Sequence, residues 1–371
     1  MKNLIAFLLI ASTASLLNAQ SHSHAGAQPL SYPNIEGYVT LKTDLHQHTV
    51  FSDGNVWPTI RVHEALRENL DAISLTEHLE YQPHKKDIPH PDRNRSFKLA
   101  LDEAKNHDLL IVHGSEITRS APVGHSNALF ITDANQLLSE NDAIPFKEAK
   151  KQNAFVFWNH PYWSAQNPDG NPHLSDFQKA RIKNGELHGI EVINSVDYSE
   201  ESLALALENN LTIMGTSDIH GLIDWDYTEK GNHRPITLVF AKEKSLESLQ
   251  EALFAGRTVA IFNSLLVGKE AYLKPLLASS INIISATYLK DKSILKVELQ
   301  NVSSSDLLFE NQMPYTFYNQ SPVFTIPAEG RLTLEIKTLE VLETLNLKLK
   351  ALGAFTAPKQ QPVIEWTITV E

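Results

Sequence analysis

The first predicted strand of the chain ends in Asp44-Leu45-His46-Gln47-His48-Thr49, and Phe51-Ser52-Asp53-Gly54 follows almost at once. Side chains alternate across a strand, so His46 and His48 face the same way, and two imidazoles on one face can bind one metal ion. Asp53 adds a carboxylate close behind, in an Asp-Gly pair that is also typical of a simple turn. An apolar strand that ends in ligand-type side chains suggests a fold with its chemistry at the strand ends.

The same pattern continues from about residue 38 to 265, where short apolar runs rich in β-branched residues alternate with segments of helical spacing. Repeated β–α units of this kind predict a mainly parallel sheet with helices outside it. The predicted strands are Gly37–Leu45, Asp71–Leu75, Leu109–Val112, Ala128–Thr132, Ala154–Trp158, Gly189–Ile193, Leu211–Met214, Ile236–Phe240 and Thr258–Phe262. The predicted helices are Thr59–Leu70, Phe97–His107, Ser202–Asn210 and Ser245–Ala255.

This order of elements fits two architectures, a closed barrel and a doubly wound open sheet. No GxGxxG or GxxxxGK[ST] segment follows any of the strands, so the phosphate loops of the nucleotide-binding open sheets are missing. We therefore predict an α/β barrel, in which functional residues lie at the C-terminal ends of the strands.

Imidazole and carboxylate side chains come just after most of these apolar runs. Each one alone is explained by a hydrogen-bonded or solvated side chain at a strand end. Their recurrence after successive strands predicts that they converge at one mouth of the barrel, where they would repel one another without a cation. We therefore predict a polynuclear metal site. The segments concerned are Thr76-Glu77-His78, Ser115-Glu116, Asn159-His160 and Asp218-Ile219-His220, whereas Gly124-His125 begins another strand.

The hydrophobic pattern of the sequence changes after about Leu277. We predict a small all-β, sandwich-like domain over residues 276–371. Alternating apolar and polar residues recur there at regular spacing, with turn residues between them and no helical segments. The predicted strands are Asn282–Leu289, Ile294–Leu299, Val323–Ile326, Arg331–Ile336, Leu345–Ala351 and Val363–Val370.

The first residues have the pattern of a secretory signal peptide. A short basic start precedes an apolar run from Leu4 to Ile10, and Leu17-Asn18-Ala19 resembles a cleavage site. The apolar core is too short to span a bilayer, which needs about 20 apolar residues. We predict a signal peptide over 1–19, a linker over 20–36, and an exported, periplasmic or secreted protein without a membrane anchor.

The amino-acid composition of the chain excludes several classes of protein function. The 371-residue chain has no cysteine, which excludes disulfide scaffolds, iron–sulfur clusters, thiolate zinc sites and cysteine nucleophiles. Its formal net charge is −12, and an acidic protein repels polyphosphate, so we expect no nucleic acid polymer as a partner.

The order DLHxHT-x-FSDG, TEH, GxE, GH, NHP and DxH resembles the PHP (polymerase and histidinol phosphatase) superfamily. The resemblance covers roughly residues 38–265 and implies a distorted (β/α)7 barrel, assigned to residues 37–275, with three divalent metal ions. Nine ligands follow by position. His46, His48, Glu116 and Asp218 would hold the first ion, Glu116 would bridge to a second that His125 and His160 complete, and Asp53, His78 and His220 would hold the third.

The chain departs from the family pattern at His113, where an apolar residue or proline is more common. Its position relative to Glu116 points its side chain away from the site, so we leave it out of the ligand set. Mixed imidazole and carboxylate ligation suits manganese, zinc or iron better than calcium or magnesium.

The layout is also similar to a secreted, Sb-PDE-like phosphodiesterase branch, which combines a signal peptide, the barrel, Glu-Ile-Thr-Arg at 116–119 and a C-terminal β-domain. This implies an enzyme that hydrolyses small organic phosphodiesters with a metal-bridging hydroxide. Two alternatives stay open. One is a phosphomonoesterase of the histidinol-phosphatase type, and the other is a binding protein in which the metals only stabilise the barrel.

Several other side chains could contact the substrate. Arg119 and Arg95 are candidates for the phosphate, with Arg93 and Arg234 as further ones, although an ion pair or a surface cation is the better explanation of each of them. The aromatic side chains that flank the ligand segments could form an apolar wall for an ester group or simply pack at the rim. These are Trp158, Tyr162, Trp163, Trp225 and Tyr227.

Overall fold

The computed structural model describes residues 29–371. The predicted signal peptide and residues 20–28 of the predicted linker therefore lie outside the described residues. Residues 29–36, the rest of that linker, lie against both halves of the protein: the Leu30 amide donates to the Glu68 carbonyl oxygen at 2.9 Å, and the Ser304 amide donates to the Ser31 carbonyl oxygen at 2.9 Å.

A curled mixed sheet with helices on its outside forms the larger part of the protein, and the predicted fold class is confirmed. The strands follow one another in the sheet in nearly the same order as in the chain, as expected for repeated β–α units. They are β1 (Val39–Gln47), β2 (Ala72–Leu75), β3 (Leu110–Ile117), β4 (Ser126–Leu129), β5 (Phe155–Trp158), β6 (Gly189–Asn194), β7 (Asp197–Tyr198), β8 (Thr212–Thr216), β9 (Ile236–Ala241), β10 (Thr258–Phe262) and β11 (Leu265–Gly268).

Eight helices accompany these strands in the described part of the chain, and none of them is long and apolar enough to cross a membrane. Serine side chains cap the first turns of three of them, since a hydroxyl oxygen accepts a free backbone amide there. The helices are α1 (Pro58–Arg67), α2 (Arg95–Ala104), α3 (Ala143–Lys151), α4 (Asp176–Lys183), α5 (Glu200–Glu208), α6 (Ile223–Asp226), α7 (Leu246–Phe254) and α8 (Glu270–Ser279).

Several strands of this mixed sheet are reversed relative to the others, among them β4 and β9, as well as β7 beside β6 and β11 beside β10. β1, β2 and β3 are parallel neighbours, as are β5, β6 and β8, but β4 is antiparallel to both β3 and β5, and β9 is antiparallel to β1. Because β4 is reversed, its first residues lie at the edge where β3 and β5 end. This places His125, which precedes β4, beside the ends of its neighbours.

The barrel closes where the last residues of β1 meet the segment after β8. The Asp218 amide donates to the His46 carbonyl oxygen at 2.9 Å, and the His48 amide donates to the Ile219 carbonyl oxygen at 3.0 Å. The other end of β1 pairs with β9 instead, with Thr43 opposite Thr237. Closure therefore joins two distant parts of the chain at the ligand-bearing end of the strands.

The C-terminal part is built from two four-stranded antiparallel sheets, as expected for a sandwich. Inward-facing apolar side chains alternate along the strands and join the larger of the hydrophobic cores, which also includes residues of α8. One sheet contains β12 (Ile281–Tyr288), β13 (Ile294–Asn301), β17 (Arg331–Lys337) and β15 (Thr316–Phe317). The other contains β16 (Val323–Ile326), β14 (Leu307–Asn311), β18 (Thr344–Ala351) and β20 (Val363–Thr369).

The two parts of the protein also share backbone pairing. The short strand β19 (Ala354–Phe355), which lies late in the chain, pairs in parallel with β11 of the barrel sheet, with Ala354 opposite Leu266. A continuous core and a shared sheet edge tie the C-terminal part to the barrel.

Candidate metal centre

The nine side chains proposed from the sequence all lie at one mouth of the barrel. Six of them follow the carboxyl ends of strands or lie in the loops beyond them, His46 and Glu116 are the penultimate residues of β1 and β3, and His125 precedes the reversed strand β4. Their ligand atoms form overlapping groups in which every atom lies within 4.8 Å of the others. The nine are His46, His48, Asp53, His78, Glu116, His125, His160, Asp218 and His220.

Four ligand atoms meet most closely between β1, β3 and the end of β8. The Nε2 atoms of His46 and His48 are 3.1 Å apart, and each lies 3.1 Å from Asp218 Oδ1. Glu116 Oε2 lies 3.8 Å from the first imidazole and 3.5 Å from the second. Ligands about 2.1 Å from a common ion are separated by roughly 3–3.5 Å. The arrangement matches the coordination sphere of a single cation.

Glu191 holds His46 in this orientation, and sequence reasoning missed it. Its Oε1 lies 2.7 Å from His46 Nδ1 and accepts the Thr216 hydroxyl at 2.6 Å. Its Oε2 accepts the His160 amide at 2.6 Å and the Asn194 amide group at 2.9 Å. A carboxylate on Nδ1 keeps the proton there and leaves Nε2 free to bind a cation.

A second group forms around the other oxygen of Glu116. His125 Nδ1 lies 2.9 Å from Glu116 Oε1, His160 Nε2 lies 3.7 Å from it, and Asn159 donates to it at 2.9 Å. The two oxygens of Glu116 thus face different sets of imidazoles, which is the geometry of a bridging carboxylate. His78 Nδ1 also approaches Glu116, at 2.7 Å from Oε2.

A third group forms around Asp53. His78 Nε2 lies 3.4 Å from Asp53 Oδ2, and His220 Nε2 lies 3.2 Å from Asp53 Oδ1. Glu77 anchors the loop that carries Asp53, because its carboxylate accepts the Thr49 hydroxyl at 2.5 Å and that of the loop residue Ser52 at 2.6 Å. His48 stands beside this group, with its ring stacked on those of both other histidines.

The donor set fits divalent cations. Two buried carboxylate oxygens, Glu116 Oε2 and Asp53 Oδ1, lie near ring nitrogens of His78 and His220 but make no well-aligned hydrogen bond among the described residues. A buried carboxylate oxygen without a partner is costly, and a bound cation removes that cost. Imidazole and carboxylate together suit transition metals and zinc.

Charge coupling in the metal-free cluster is strong. Burial and the neighbouring His78 lower the pKa of His48 to about 3. Burial opposes protonation of His78, but Glu116 and Asp53 raise its pKa to about 10. Burial would likewise favour the neutral form of Glu116, yet His78 and His125 hold its pKa well below the usual value. In the metal-free protein, protons on imidazoles therefore neutralise part of the negative charge of the carboxylates. Bound cations would neutralise that charge in the loaded protein.

Two of these residues have strained backbone conformations. The φ angles are +29° at His160 and +51° at Asp218, in the left-handed region that non-glycine residues rarely adopt. Such conformations persist where the surrounding structure fixes them, commonly at functional sites. Here the fixed contacts are the amide of His160 on Glu191 and the amide of Asp218 on β1.

Comparison with known proteins fits this geometry. The crystal structure of a two-domain protein containing a predicted PHP-like metal-dependent phosphoesterase, from Bacteroides vulgatus ATCC 8482, is 40% identical, with a TM-score of 0.85 over 93% of this chain and 99% of that one. This chain belongs to the PHP superfamily of metal-dependent phosphoesterases. Residues 281–367 match the family DUF5001, described as an Ig-like domain.

Other similarities add little. PsfC from Pseudomonas syringae PB-5123 is 19% identical over 61% of this chain and 92% of that one, with a TM-score of 0.42. This similarity is too weak to carry functional information. No curated protein matches the chain.

A cavity of about 510 Å³ opens onto the ligands of the PHP barrel. Besides ligand side chains it is lined by Tyr162, Trp163, Ser164, Asn194 and Asp197, and no Lys or Arg side chain of the described residues lines it. The remaining aromatic residues of the proposed wall do not line it. Trp158 and Tyr227 are buried, and Trp225 is exposed on α6.

The structure does not bring the proposed phosphate-binding arginines to this cavity. Arg119 donates to the Ser139 carbonyl oxygen and lies 3.1 Å from a carboxylate oxygen of Glu80. Arg95 is exposed at the start of α2, where its guanidinium lies 5.4 Å from the centre of the Phe51 ring. Neither Arg119 nor Arg95 lines the cavity.

The other two arginines are held in the protein. Arg93 donates to the carbonyl oxygens of Leu79 and His90. Arg234 is fully buried and pairs with Asp44 at 3.1 Å and with Glu68 at 2.6 Å.

The Asp44 carboxylate also helps to position a ligand segment. It accepts the Ser217 hydroxyl at 2.6 Å, which fixes the segment that carries Asp218. Together with Arg234, it forms a buried polar network beneath the metal ligands.

Two histidines outside the ligand set also have clear positions. His113 points away from the cluster and stacks on Phe97 of α2, with ring centres 4.0 Å apart, and burial lowers its pKa to about 4. His233 is bonded through both ring nitrogens, to the Arg234 carbonyl oxygen and the Asn263 amide. Neither contributes to the metal centre.

Proposed function

We propose that this PHP protein is a phosphodiesterase that hydrolyses small organic phosphodiesters at a site for three divalent ions. The observation that carries the proposal is the convergence of nine ligand side chains, in three overlapping groups, on one cavity of about 510 Å³. Cations bound there would activate a water molecule and draw charge from the phosphoryl oxygens. The chain's own part is to hold these cations, to orient the imidazoles and to shape the cavity.

The charge of the cavity supports a diester over a monoester. A phosphomonoester carries up to two negative charges near neutral pH, and enzymes commonly match them with Arg or Lys donors. Here the only charged lining residue outside the proposed ligand set, among the residues the structure describes, is Asp197, which is acidic. A diester has one negative charge and a second organic group, which the exposed indole of Trp163 can contact.

The same charges support a small substrate. A nucleic acid polymer would bring several further phosphates to the rim, where the described lining offers no cation to meet them. The net charge of −12 acts in the same direction.

The direct test is hydrolysis of two chromogenic substrates. Purified protein would be stripped with a chelator, reloaded with Mn²⁺, Zn²⁺ or Fe²⁺, and assayed with bis(4-nitrophenyl) phosphate and 4-nitrophenyl phosphate. We expect kcat/KM for the diester to exceed that for the monoester by at least tenfold. Monoester preference would support the phosphomonoesterase alternative, and no turnover by fully loaded protein would support a binding role.

Metal content is the second measurement. Elemental analysis of the reloaded protein should approach three ions per chain, and Asp53→Asn should lower that number by one while leaving the other two groups intact. Loss of all ions in this variant would contradict three separable groups.

We also propose that the protein acts outside the cytoplasm. The support is the sequence pattern of residues 1–19, with a basic start, an apolar core and a small-residue site. Cell fractionation with mass spectrometry of the mature N-terminus would test it: a first residue at Gln20 in the exported fraction is expected, and an uncleaved chain in the cytoplasm would refute it.

A further inference from the structure

Two side chains of the cavity wall beside the metal ligands, Asp197 and Trp163, have polar groups that no other part of the described protein binds. The carboxylate of Asp197 has no hydrogen bond or ion pair within residues 29–371, although it lines the cavity. Trp163 also lines it and is 47% exposed, and its indole nitrogen has no hydrogen-bond partner among the same residues. A carboxylate and an indole without hydrogen-bond partners in the described protein therefore line the space that a substrate would fill.

Both side chains are held in place by their surroundings. The Trp163 ring lies edge-on to the rings of His125 and His160, with centres 5.6 Å and 5.3 Å away, so it stands next to the proposed second ion. The Tyr162 hydroxyl donates to the carbonyl oxygens of Asn194 and Asp197, at 3.3 Å and 3.1 Å. These bonds fix the β6–β7 hairpin that presents the Asp197 carboxylate.

We propose that Asp197 and Trp163 form a subsite for a cationic group, an ammonium or quaternary ammonium, on the organic part of the phosphodiester. This inference rests on the proposed function and names its substrate class. An ammonium ion is attracted both by the face of an indole and by a carboxylate, and the first of these contacts is the usual way in which proteins recognise quaternary ammonium ions. The phosphoryl group would lie at the ligands and the cation beside it, against Asp197 and Trp163, which matches a zwitterionic substrate.

The alternatives fit this wall less well. A second anionic group on the substrate would face the Asp197 carboxylate, and no Lys or Arg of residues 29–371 lines the cavity to offset it. A neutral apolar group would contact the indole but leave the carboxylate to be desolvated without a partner, which is unfavourable. A cation is attracted by both side chains and also neutralises the charge of the carboxylate.

The test compares ligands that differ by one atom. Phosphocholine and 3,3-dimethylbutyl phosphate have the same shape, but the first has a quaternary nitrogen where the second has carbon. Binding of each to the metal-loaded protein would be measured by isothermal titration calorimetry. We expect phosphocholine to bind at least tenfold more tightly, and Asp197→Asn to reduce that ratio below about threefold. The exposed Asp176→Asn of α4 is the matched control and should keep the wild-type ratio.

Turnover separates this inference from the proposed function. The substrates would be 4-nitrophenyl phosphocholine and 4-nitrophenyl 3,3-dimethylbutyl phosphate. In both, water oxygen forms a bond to phosphorus, the P–O bond to the aryl group breaks, and 4-nitrophenolate leaves with the electron pair while the water protons pass to the product and solvent. The kcat/KM ratio should follow the binding ratio in wild type and in Asp197→Asn.

Each result decides one of the two proposals. Equal binding of the two monoesters by wild type, or an unchanged ratio in Asp197→Asn, would overturn the cation subsite even if both diesters are hydrolysed. A binding preference without hydrolysis of either diester would uphold the subsite and refute the phosphodiesterase. Trp163→Leu should lower the ratio more than Trp163→Phe, because phenylalanine keeps an aromatic face.

Discussion

Glu191 offers the sharpest test of how the protein holds its metals, because it touches no proposed cation and yet positions two of the ligands. Its two oxygens receive four donors: His46 Nδ1 and the Thr216 hydroxyl on one, the His160 amide and the Asn194 amide group on the other. Glu191→Gln keeps the size of the side chain but replaces one oxygen with an NH₂ group. Two of the four donors then face another donor.

The cost follows from these contacts. If the NH₂ group faces His46, the imidazole must move its proton to Nε2, the atom that lies 3.1 Å from Asp218 Oδ1, and it ceases to be a ligand. If it faces the His160 amide, a buried donor is left unpaired, which costs about 1–3 kcal/mol. Loss of such a supporting carboxylate typically lowers metal affinity about 10–100-fold, or about 1.4–2.7 kcal/mol.

The assay is competition with a chromophoric chelator for Zn²⁺ and Mn²⁺, at fixed pH. The control is Glu208→Gln, an exposed carboxylate at the end of α5. We expect a drop of at least tenfold in affinity for the weakest-held ion in Glu191→Gln and no change in the control. Equal affinities in wild type and Glu191→Gln would refute the orienting role, since the His46 tautomer would then not depend on Glu191.

Three further predictions concern the ligands and their charges. Asp218→Asn should lose the ion between β1 and β8 and at least a thousandfold in kcat while keeping its far-UV circular dichroism; retention of a tenth of the activity would contradict its ligand role. In metal-free protein the pKa of His78 is raised to about 10 from 6.5. Its contribution to stability is therefore complete below pH 6.5 and is lost as the pH rises to about 10, whereas metal affinity rises over the same window as the proton is displaced. Thermal unfolding of metal-free protein and chelator competition between pH 6 and 9 would check both trends, and a pH-independent affinity would contradict them. Arg119→Ala should change kcat/KM less than threefold, because Glu80 already pairs with this guanidinium; a tenfold loss would show that it reaches the substrate.

The ligand positions could be predicted from the sequence because of where strands end. Each apolar run fixes the direction of a strand, and the residue just past it must face the barrel mouth, so His78 and His160 were identifiable without a structure. His125 was found by motif alone. Its place at the mouth depends on the reversal of β4, which no periodicity reveals.

Other features could not be predicted, for definite physical reasons. Glu191 lies inside the apolar segment of β6, and a single sequence does not distinguish a buried carboxylate with four donors from a solvated one. Arg119 looked close to the site because it follows Glu116 by three residues. The chain leaves β3 at Ile117, however, and turns the guanidinium toward Glu80 instead of the cavity. The helices α3, α4, α6 and α8 were also missed: α6 has only four residues, α4 is mostly polar, and α8 contains Pro275.

The arrangement links barrel closure to metal binding. His46 lies in β1 and His48 directly follows it, whereas Asp218 comes some 170 residues later, and backbone hydrogen bonds that close the barrel join the two segments. In the metal-free protein those bonds hold three polar side chains together inside a buried mouth, where burial opposes a proton on His46 but the carboxylates of Asp218 and Glu191 raise its pKa. A bound cation would replace that proton, because the carboxylate and each neutral imidazole would be attracted to the same centre. Cations and the closing hydrogen bonds would therefore stabilise one another, and both would act on Asp218, whose backbone lies in the left-handed region.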